Sequence, residues 1–420
     1  MSLRTDVARL PRSAWVICAG MFINKFGNFV NVFIVLYLVQ NGYSAAQSGV
    51  ALGVIGLGNM IGNIVGGSLA DRIGRKPLLV WSMLASGVVT MVVPLFTDYL
   101  AIIAWLTLLG FVSQLFRPAA GALLVDSVPP EQRLTAFAFL RLAINVGMAV
   151  GPAVGGFLSS YSYTWMFIGD GITSILFGLL AMFLLKEVRE VRSPGGPDGV
   201  PAAPAAGYGT VLRDLRFLAF LLAMVGATYV YIQHTATLPL HVTAAGFSNE
   251  QFGLLIGLNA LLVVVFEIPI TRLTGRFDAR VMMCAGLVIL GAGMALTGLS
   301  GSIVALAATI TVWTVAEMVY TPIANAYPGD VAPESARGRY QGAEGLAHTI
   351  GATAGPVIGG ALYAVSAATH WWLCLVIGLA SAALVMLARK PPAVDAGEPA
   401  AQAPAVQAGE PAAVEGGKSA

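Results

Sequence analysis

The chain reads as long apolar runs interrupted at near-regular intervals by charge, glycine and proline. Spanning a bilayer takes roughly 20 mainly apolar residues in a helix. The interruptions delimit twelve such runs, at 14–40, 45–70, 77–95, 99–125, 133–159, 163–185, 214–242, 249–274, 281–299, 303–328, 338–362 and 367–388. They predict an all-α polytopic membrane protein with twelve transmembrane helices. Between the sixth and seventh runs lies a Pro, Gly and Ala linker without apolar periodicity, and after Lys390 the chain has no large apolar side chain beyond a few valines. The expected organisation is a terminal segment 1–13, a six-helix half 14–191, a linker 192–213, a second six-helix half 214–390 and a disordered tail 391–420.

The two halves repeat one another. GMAVGPAVGG at Gly147–Gly156 returns as GATAGPVIGG at Gly351–Gly360, an offset of 204 that also pairs Pro118 with Pro322, Asp126 with Asp330, Arg133 with Arg337, and Gly42, Ser44 and Gly49 with Gly246, Ser248 and Gly253. A parallel repeat carried on apolar helices marks a two-halved, pseudo-symmetric transporter with its substrate site between the halves near the bilayer midplane.

Composition agrees: 57% of residues are hydrophobic and only 10% charged, which excludes a soluble domain with a polar surface. A net charge of +2 says little about partners, but the placement of the bases says more. Loop Lys and Arg residues, such as Arg72, Arg216, Arg276 and Arg337, fall on one side of the twelve-span arrangement, and the opposite loops have none. The positive-inside rule then puts both termini and the linker in the cytoplasm of a cell-membrane protein. Bases scattered over short loops are explained by topology rather than by a nucleic acid. Cys18, Cys284 and Cys374 lie in separate apolar runs and imply no disulfide framework. The first run is too long for a signal peptide and has a repeat partner. GLGNMIG at 56–62 departs from the dinucleotide fingerprint and follows no strand, and GxxxxGK[ST] is absent, so ATP is not expected as the energy source. The four histidines have no metal-ligand spacing, and no metal or cofactor is expected.

Gly147, Gly151 and Gly155 share a helix face, as do Gly351, Gly355 and Gly359, and Pro152 and Pro356 bend their helices. Close packing alone accounts for the small residues; the paired prolines add a shared mechanical role.

Between the second and third runs stands Gly67-Ser-Leu-Ala-Asp71-Arg72-Ile-Gly74-Arg75-Lys76-Pro-Leu-Leu79. It resembles, at every defining position, the G-x-L-A-D-R-x-G-R-K-x-x-L signature of the major facilitator superfamily, and Gly147, Gly151, Pro152, Gly155 and Gly156 resemble the antiporter motif of its drug:proton antiporter branch. The resemblance covers about residues 10–390 and implies alternating access, with Asp71 and Arg75 forming an inter-helix latch that holds the outward-open state and Asp126 as partner of Arg75. The physical reading of the loop leaves topology anchoring as the alternative. Its second-half counterpart has Gly275 where an aspartate is expected, so the latch is expected to be stronger in the first half.

Ionisable groups at membrane depth cost roughly 2.5 kcal/mol or more each on insertion scales and are functional candidates by default. Seven qualify: Lys25, Arg117, Arg141, Asp170, Glu267, Glu317 and Glu344. Lys25 stands near the middle of the first run with Asn24, Asn28 and Asn31 beside it, a polar stripe expected to line a cavity. The corresponding stripe on the seventh run includes Gln233 and His234, and the two are expected to face one another across the path; hydrogen bonding between helices is the rival reading. Glu317, with Trp313 and Tyr320 on its own helix face, is the most central acid, expected to carry a coupling proton or to meet a cationic substrate stacked on the aromatics. Arg117 is expected to anchor a carboxylate. The resulting expectation is a monomeric secondary transporter exporting a small, partly apolar compound in exchange for protons. Import of a small anionic metabolite is the alternative, and a receptor or membrane enzyme lacks a supporting constellation.

Overall fold

The computed structural model describes residues 10–129, 132–185, 209–333 and 336–388, among which every regular element is helical. Twelve long helices follow one another: α1 (Arg12–Gln40), α2 (Ala45–Ile73), α3 (Arg75–Leu95), α4 (Tyr99–Ser127), α5 (Arg133–Tyr161), α6 (Tyr163–Leu184), α7 (Leu215–Ala244), α8 (Asn249–Thr274), α9 (Ala279–Thr297), α10 (Ile303–Val331), α11 (Arg337–Val365) and α12 (Ala367–Leu387). Eleven are apolar enough along their length to cross a membrane. The exception, α11, is as long as the others but is diluted by Arg337, Arg339, Glu344, His348 and its glycines. Most of the expected linker and the whole expected tail lie outside the described residues. The linker was expected to run to 213, whereas Gly209–Arg213 is already helical.

The repeat is reproduced in local structure. Gly42 and Gly246 both take a positive φ, 88° and 86°, in the turns that lead into α2 and α8. Two residues later Ser44 and Ser248 each form a capping box with Gln47 and Gln251, so one short piece of sequence writes the same turn twice. α1 is broken at Gly27–Asn28, and α7 at the corresponding Ile232. α4 breaks at Leu115, three residues before Pro118, whose missing N–H interrupts the ladder.

The halves meet along two repeat-related seams, α2 against α11 and α5 against α8. Away from the Arg-bearing loops both seams close to backbone contact. A Cβ added to Gly49 would stand 2.2 Å from the Pro356 carbonyl oxygen, and one added to Gly253 would stand 2.3 Å from that of Pro152. Gly360 and Gly156 oppose those same two glycines. Phe33 of α1 meets Phe252 of α8 edge to face at 5.4 Å, and Asn249 donates to the Tyr163 hydroxyl at 2.9 Å, so a single apolar core spans both halves at this end. At the basic end α2 and α11 diverge around an open cavity, while α5 and α8 stay joined by the ion pair Arg141–Glu267. Large apolar side chains such as Trp81, Leu100, Phe183, Leu215 and Val304 project from the exterior, as a lipid-facing surface requires.

Candidate functional site

In the first half the break in α1 frees backbone donors at mid-depth, and Asp170 of α6 answers them: its Oδ2 accepts from the Val30 amide at 3.0 Å. The carboxylate thus sits at the N-terminus of the second α1 segment, where the helix dipole favours negative charge. Lys25 lies within electrostatic reach of Asp170 and Arg117. Asn24, Lys25, Asn28 and Asn31 line a cavity of about 40 Å³ together with Ser86, Thr90, Ser113, Gln114, Asp170 and Ser174. Asn31 donates to Asn28 at 2.5 Å, and Asn24 to the Met83 sulfur at 3.8 Å.

In the second half Glu317 of α10 is the hub. Its Oε1 accepts from the Tyr231 hydroxyl at 2.8 Å and its Oε2 from the Asn259 amide at 3.1 Å; the same amide reaches Thr314 at 3.0 Å. Both partners are neutral, and among the described residues no base pairs with Glu317. His234 donates its Nδ1–H to the Tyr231 carbonyl at 2.6 Å, and its ring lies 5.7 Å from Trp313 and 4.5 Å from Tyr231.

Several sequence expectations change in detail. The stripes on α1 and α7 each turn into their own half, one toward α3, α4 and α6 and the other toward α10 and α11. Gln233 is buried as a packing group: its amide donates to the carbonyls of Tyr229 (2.9 Å) and Gly355 (3.0 Å), and Thr237, itself joined to His370, donates to its oxygen. Trp313 and Tyr320 were expected to offer faces to a ligand, but both are buried, because Gly293 and Gly286 let α9 lie against them. Asn259 was not anticipated; a lone amide in the middle of the apolar α8 run was its signal. The pairing of Arg141 with Glu267 across the halves was also missed, since helix phase alone does not disclose contacts between non-consecutive helices.

The charged loop after α2 turns at Gly74, with φ 96°. Arg75 forms an ion pair with Asp126 at the end of α4, and Lys76 donates to the Leu185 carbonyl at the end of α6 at 2.8 Å. In the second half Arg280 makes the corresponding bond to Ala388 (3.2 Å), so the divergent copy retains one of the contacts. Asp71 and Arg72 are exposed, Asp71 makes no ion pair among the described residues, and Gly67 has open space around it. The α5 motif divides its work between two neighbours. Gly147, Gly151 and Gly155 seat α1 on both sides of its break, the Gly151 Cβ position lying 2.4 Å from the Phe26 carbonyl, whereas Pro152 and Gly156 seat α8.

Arg117 follows the break in α4 and points into a cavity of about 560 Å³ between α2, α4 and α11. Asn59, Asn63, Gln114, His348 and Thr349 share its lining, and none of the lining residues is acidic.

A relative from Planococcus maritimus described as a "Na(+), Li(+), K(+)/H(+) antiporter" is 27% identical over 80% of this chain and 86% of its own length. "Multidrug resistance protein MdtH" of Cronobacter sakazakii is 28% identical over 80% of this chain and 84% of its own. Among solved structures, a bacterial homologue of the human lysosomal transporter Spinster, inward-facing and unoccupied, superposes with a TM-score of 0.71 at 16% identity, covering 90% of this chain and 95% of that one. The nucleoside transporter NupG superposes with a TM-score of 0.74 at 14% identity, covering 89% and 98%; at such identities these two likenesses speak for the fold alone. The sequence also matches the Major Facilitator Superfamily over residues 17–251 and again over 235–412, one match for each six-helix half. Twelve helices, two repeats and the signature at Gly67–Leu79 converge, and the chain belongs to the major facilitator superfamily.

Proposed function

We propose that this transporter exports a small, partly apolar compound in exchange for protons, and that Glu317 carries the proton. The observation behind the reading is the makeup of the Glu317 cradle. Tyr231 and Asn259 are neutral, so gain or loss of a proton by Glu317 leaves no buried cation unpaired. Of the other intramembrane acids, Glu267 has Arg141 and Asp170 has Lys25 as a basic neighbour, and Glu344 on α11 is only half-buried. Export takes its support from relatives named as a cation/proton antiporter and as a multidrug resistance protein. On this reading the basic loops face the cytoplasm, residues 14–191 and 214–390 rock as two bodies about the seams, and this conformation is closed to the outside. The protein acts as a monomer without ATP or any enzymatic step, and Asp71, which makes no ion pair among the described residues, engages when the cytoplasmic end closes. A symporter importing an anion is the second reading, favoured by Lys25 and Arg117.

The test is substrate-stimulated proton flux in proteoliposomes, screened over cationic, neutral and anionic compounds. Glu317→Gln keeps size and hydrogen bonding but cannot ionise, so it should abolish uphill accumulation while downhill exchange of a neutral compound survives. Uphill transport by Glu317→Gln with the wild-type dependence on the pH gradient would remove Glu317 from the mechanism. Proton flux in the same direction as substrate would replace antiport with symport.

A further inference from the structure

Arg117 is placed unlike any other intramembrane charge in this protein. At about 1.5 Å per residue it stands about 15 Å in from the basic end of α4, at membrane depth but exposed to the open cavity. A guanidinium keeps its charge there, so whatever enters the cavity meets a fixed cation. Arg141 has Glu267 and Lys25 has Asp170. Among the described residues, Arg117 has no carboxylate partner; Lys25, a like charge, lies within its electrostatic reach, and its cavity wall carries no acid.

The rest of the wall has a consistent chemistry. Asn59, Asn63 and Gln114 supply amide donors, and His348 reaches in from α11 within electrostatic range of Arg117. Thr353, also on the wall, has a buried hydroxyl oxygen without a hydrogen-bond partner. Gly342 and Gly345 leave space on the α11 side, and Ile64 and Leu346 give the mouth an apolar rim. Donors set around one fixed cation, with an orphaned hydroxyl and no acid, make a receptor for an anion.

We infer that the cavity between α2, α4 and α11 is a binding site for a carboxylate or phosphate monoester carried on a small apolar body, with Arg117 as the fork that grips the anion and His348 as the donor from the opposite half. The cavity joins the halves, so an occupant held by Arg117 and His348 together links α4 to α11 where α2 and α11 otherwise stand apart. The inference names a ligand class for the translocation path proposed above and rests on that reading only for its physiological meaning; binding itself requires no gradient. The same anionic chemistry is available from a free solute or from a lipid headgroup entering from the side.

Both sources are separable with full-length protein in nanodiscs. In phosphatidylcholine discs, labelled benzoate should bind and be displaced by phenyl phosphate, but not by benzyl alcohol or benzyltrimethylammonium. Arg117→Gln should weaken binding about tenfold or more, the usual worth of a lost charge-assisted bond. Arg117→Lys should keep the phosphate better than the carboxylate, since a point charge replaces a fork, and it also shows that the loss in Arg117→Gln is not misfolding. If lipid is the natural occupant, phosphatidylglycerol in the disc should compete with benzoate and remain bound in native mass spectra of the wild type but not of Arg117→Gln. The inference is overturned if benzoate binds no better than benzyl alcohol and phosphatidylglycerol retention ignores Arg117→Gln, or if anion binding is unchanged in that variant. Intact benzoate binding beside proton-independent transport would instead sink only the coupling proposal.

Discussion

Alanine at Gly49 and at Gly253 should open the end of the protein away from the basic loops. In each case the added methyl would stand 2.2 or 2.3 Å from a proline carbonyl oxygen of the facing helix, against an ordinary contact of at least 3.4 Å. Those oxygens belong to backbone, so relief requires the seam to part by about 1 Å rather than a side chain to turn. Overpacking of this kind costs about 1–3 kcal/mol. If the halves rock about the seams as proposed, that cost falls on the closed conformation and shifts the equilibrium toward the opposite state about 5- to 150-fold per substitution. The two contacts lie on separate seams with no shared partner, so the double variant should combine the effects nearly additively. Leu100 and Val304, repeat-related and 74% and 75% exposed, are suitable positions for spin labels in a background with Cys18, Cys284 and Cys374 replaced. Gly49→Ala should move weight to longer Leu100–Val304 distances, Gly253→Ala should do likewise, and Gly121→Ala, whose methyl meets nothing within 4 Å, should not. A distance distribution in the double variant that matches wild type would show that the glycine seams do not hold the closed end.

Exchanging the charges of the cross-half ion pair, Arg141→Glu with Glu267→Arg, should recover much of the transport lost in either single variant; failure of the exchange to recover any would deny a direct interaction. Asp71→Asn should lower turnover several-fold with a smaller change in substrate affinity, measured at equal membrane abundance, if the residue engages only when the basic end closes; wild-type turnover would reduce the loop to a topology anchor. Asp170→Asn keeps a hydrogen-bond acceptor for the Val30 amide but removes the charge facing Lys25, so it should lower thermal stability by about 1–3 kcal/mol, and Lys25→Met in the same chain should restore most of it. For topology, cysteine at Gly301 should react with an impermeant maleimide on intact cells and cysteine at Gly209 should not, both positions having open space for a side chain.

Span count, the two halves and the charged loop were legible because each is written in local sequence: length of apolar run, repeat offset and a motif of fixed spacing. Even α11, which falls short on hydropathy alone, was recoverable through its kinship with α5. The site was legible only in part. Sequence marked Glu317, Lys25 and Arg117 as intramembrane charges, yet it could not say which of them finds a partner, because partners come from helices remote in the chain: Asp170 from α6, Asn259 from α8, Glu267 from α8. The aromatic face drawn around Glu317 was misread for a related reason. Helical phase puts Trp313 and Tyr320 near Glu317, but glycines on α9 decide that they are covered.

The repeat separates what both halves need mechanically from what only one needs chemically. Turns, caps, helix breaks and glycine seams are retained at matching positions, as Gly42 and Gly246, Ser44 and Ser248, and Gly49 and Gly253 show. The intramembrane charges are not retained. Position for position, Lys25 corresponds to Tyr229, Asp170 to Cys374, Arg117 to Thr321, and Glu317 to Ser113. Two halves that pivot about equivalent seams must share their joints, whereas a path between them gains directionality only if its walls differ. Here the first wall carries Lys25, with Asp170 beside it, and Arg117, which has no carboxylate partner among the described residues, while the second carries Glu317 held by neutral donors. On the proposed reading a ligand with an anionic end meets its fixed cation on the first wall, and the proton is taken by Glu317 on the second, so the two are bound at once without competing for one group.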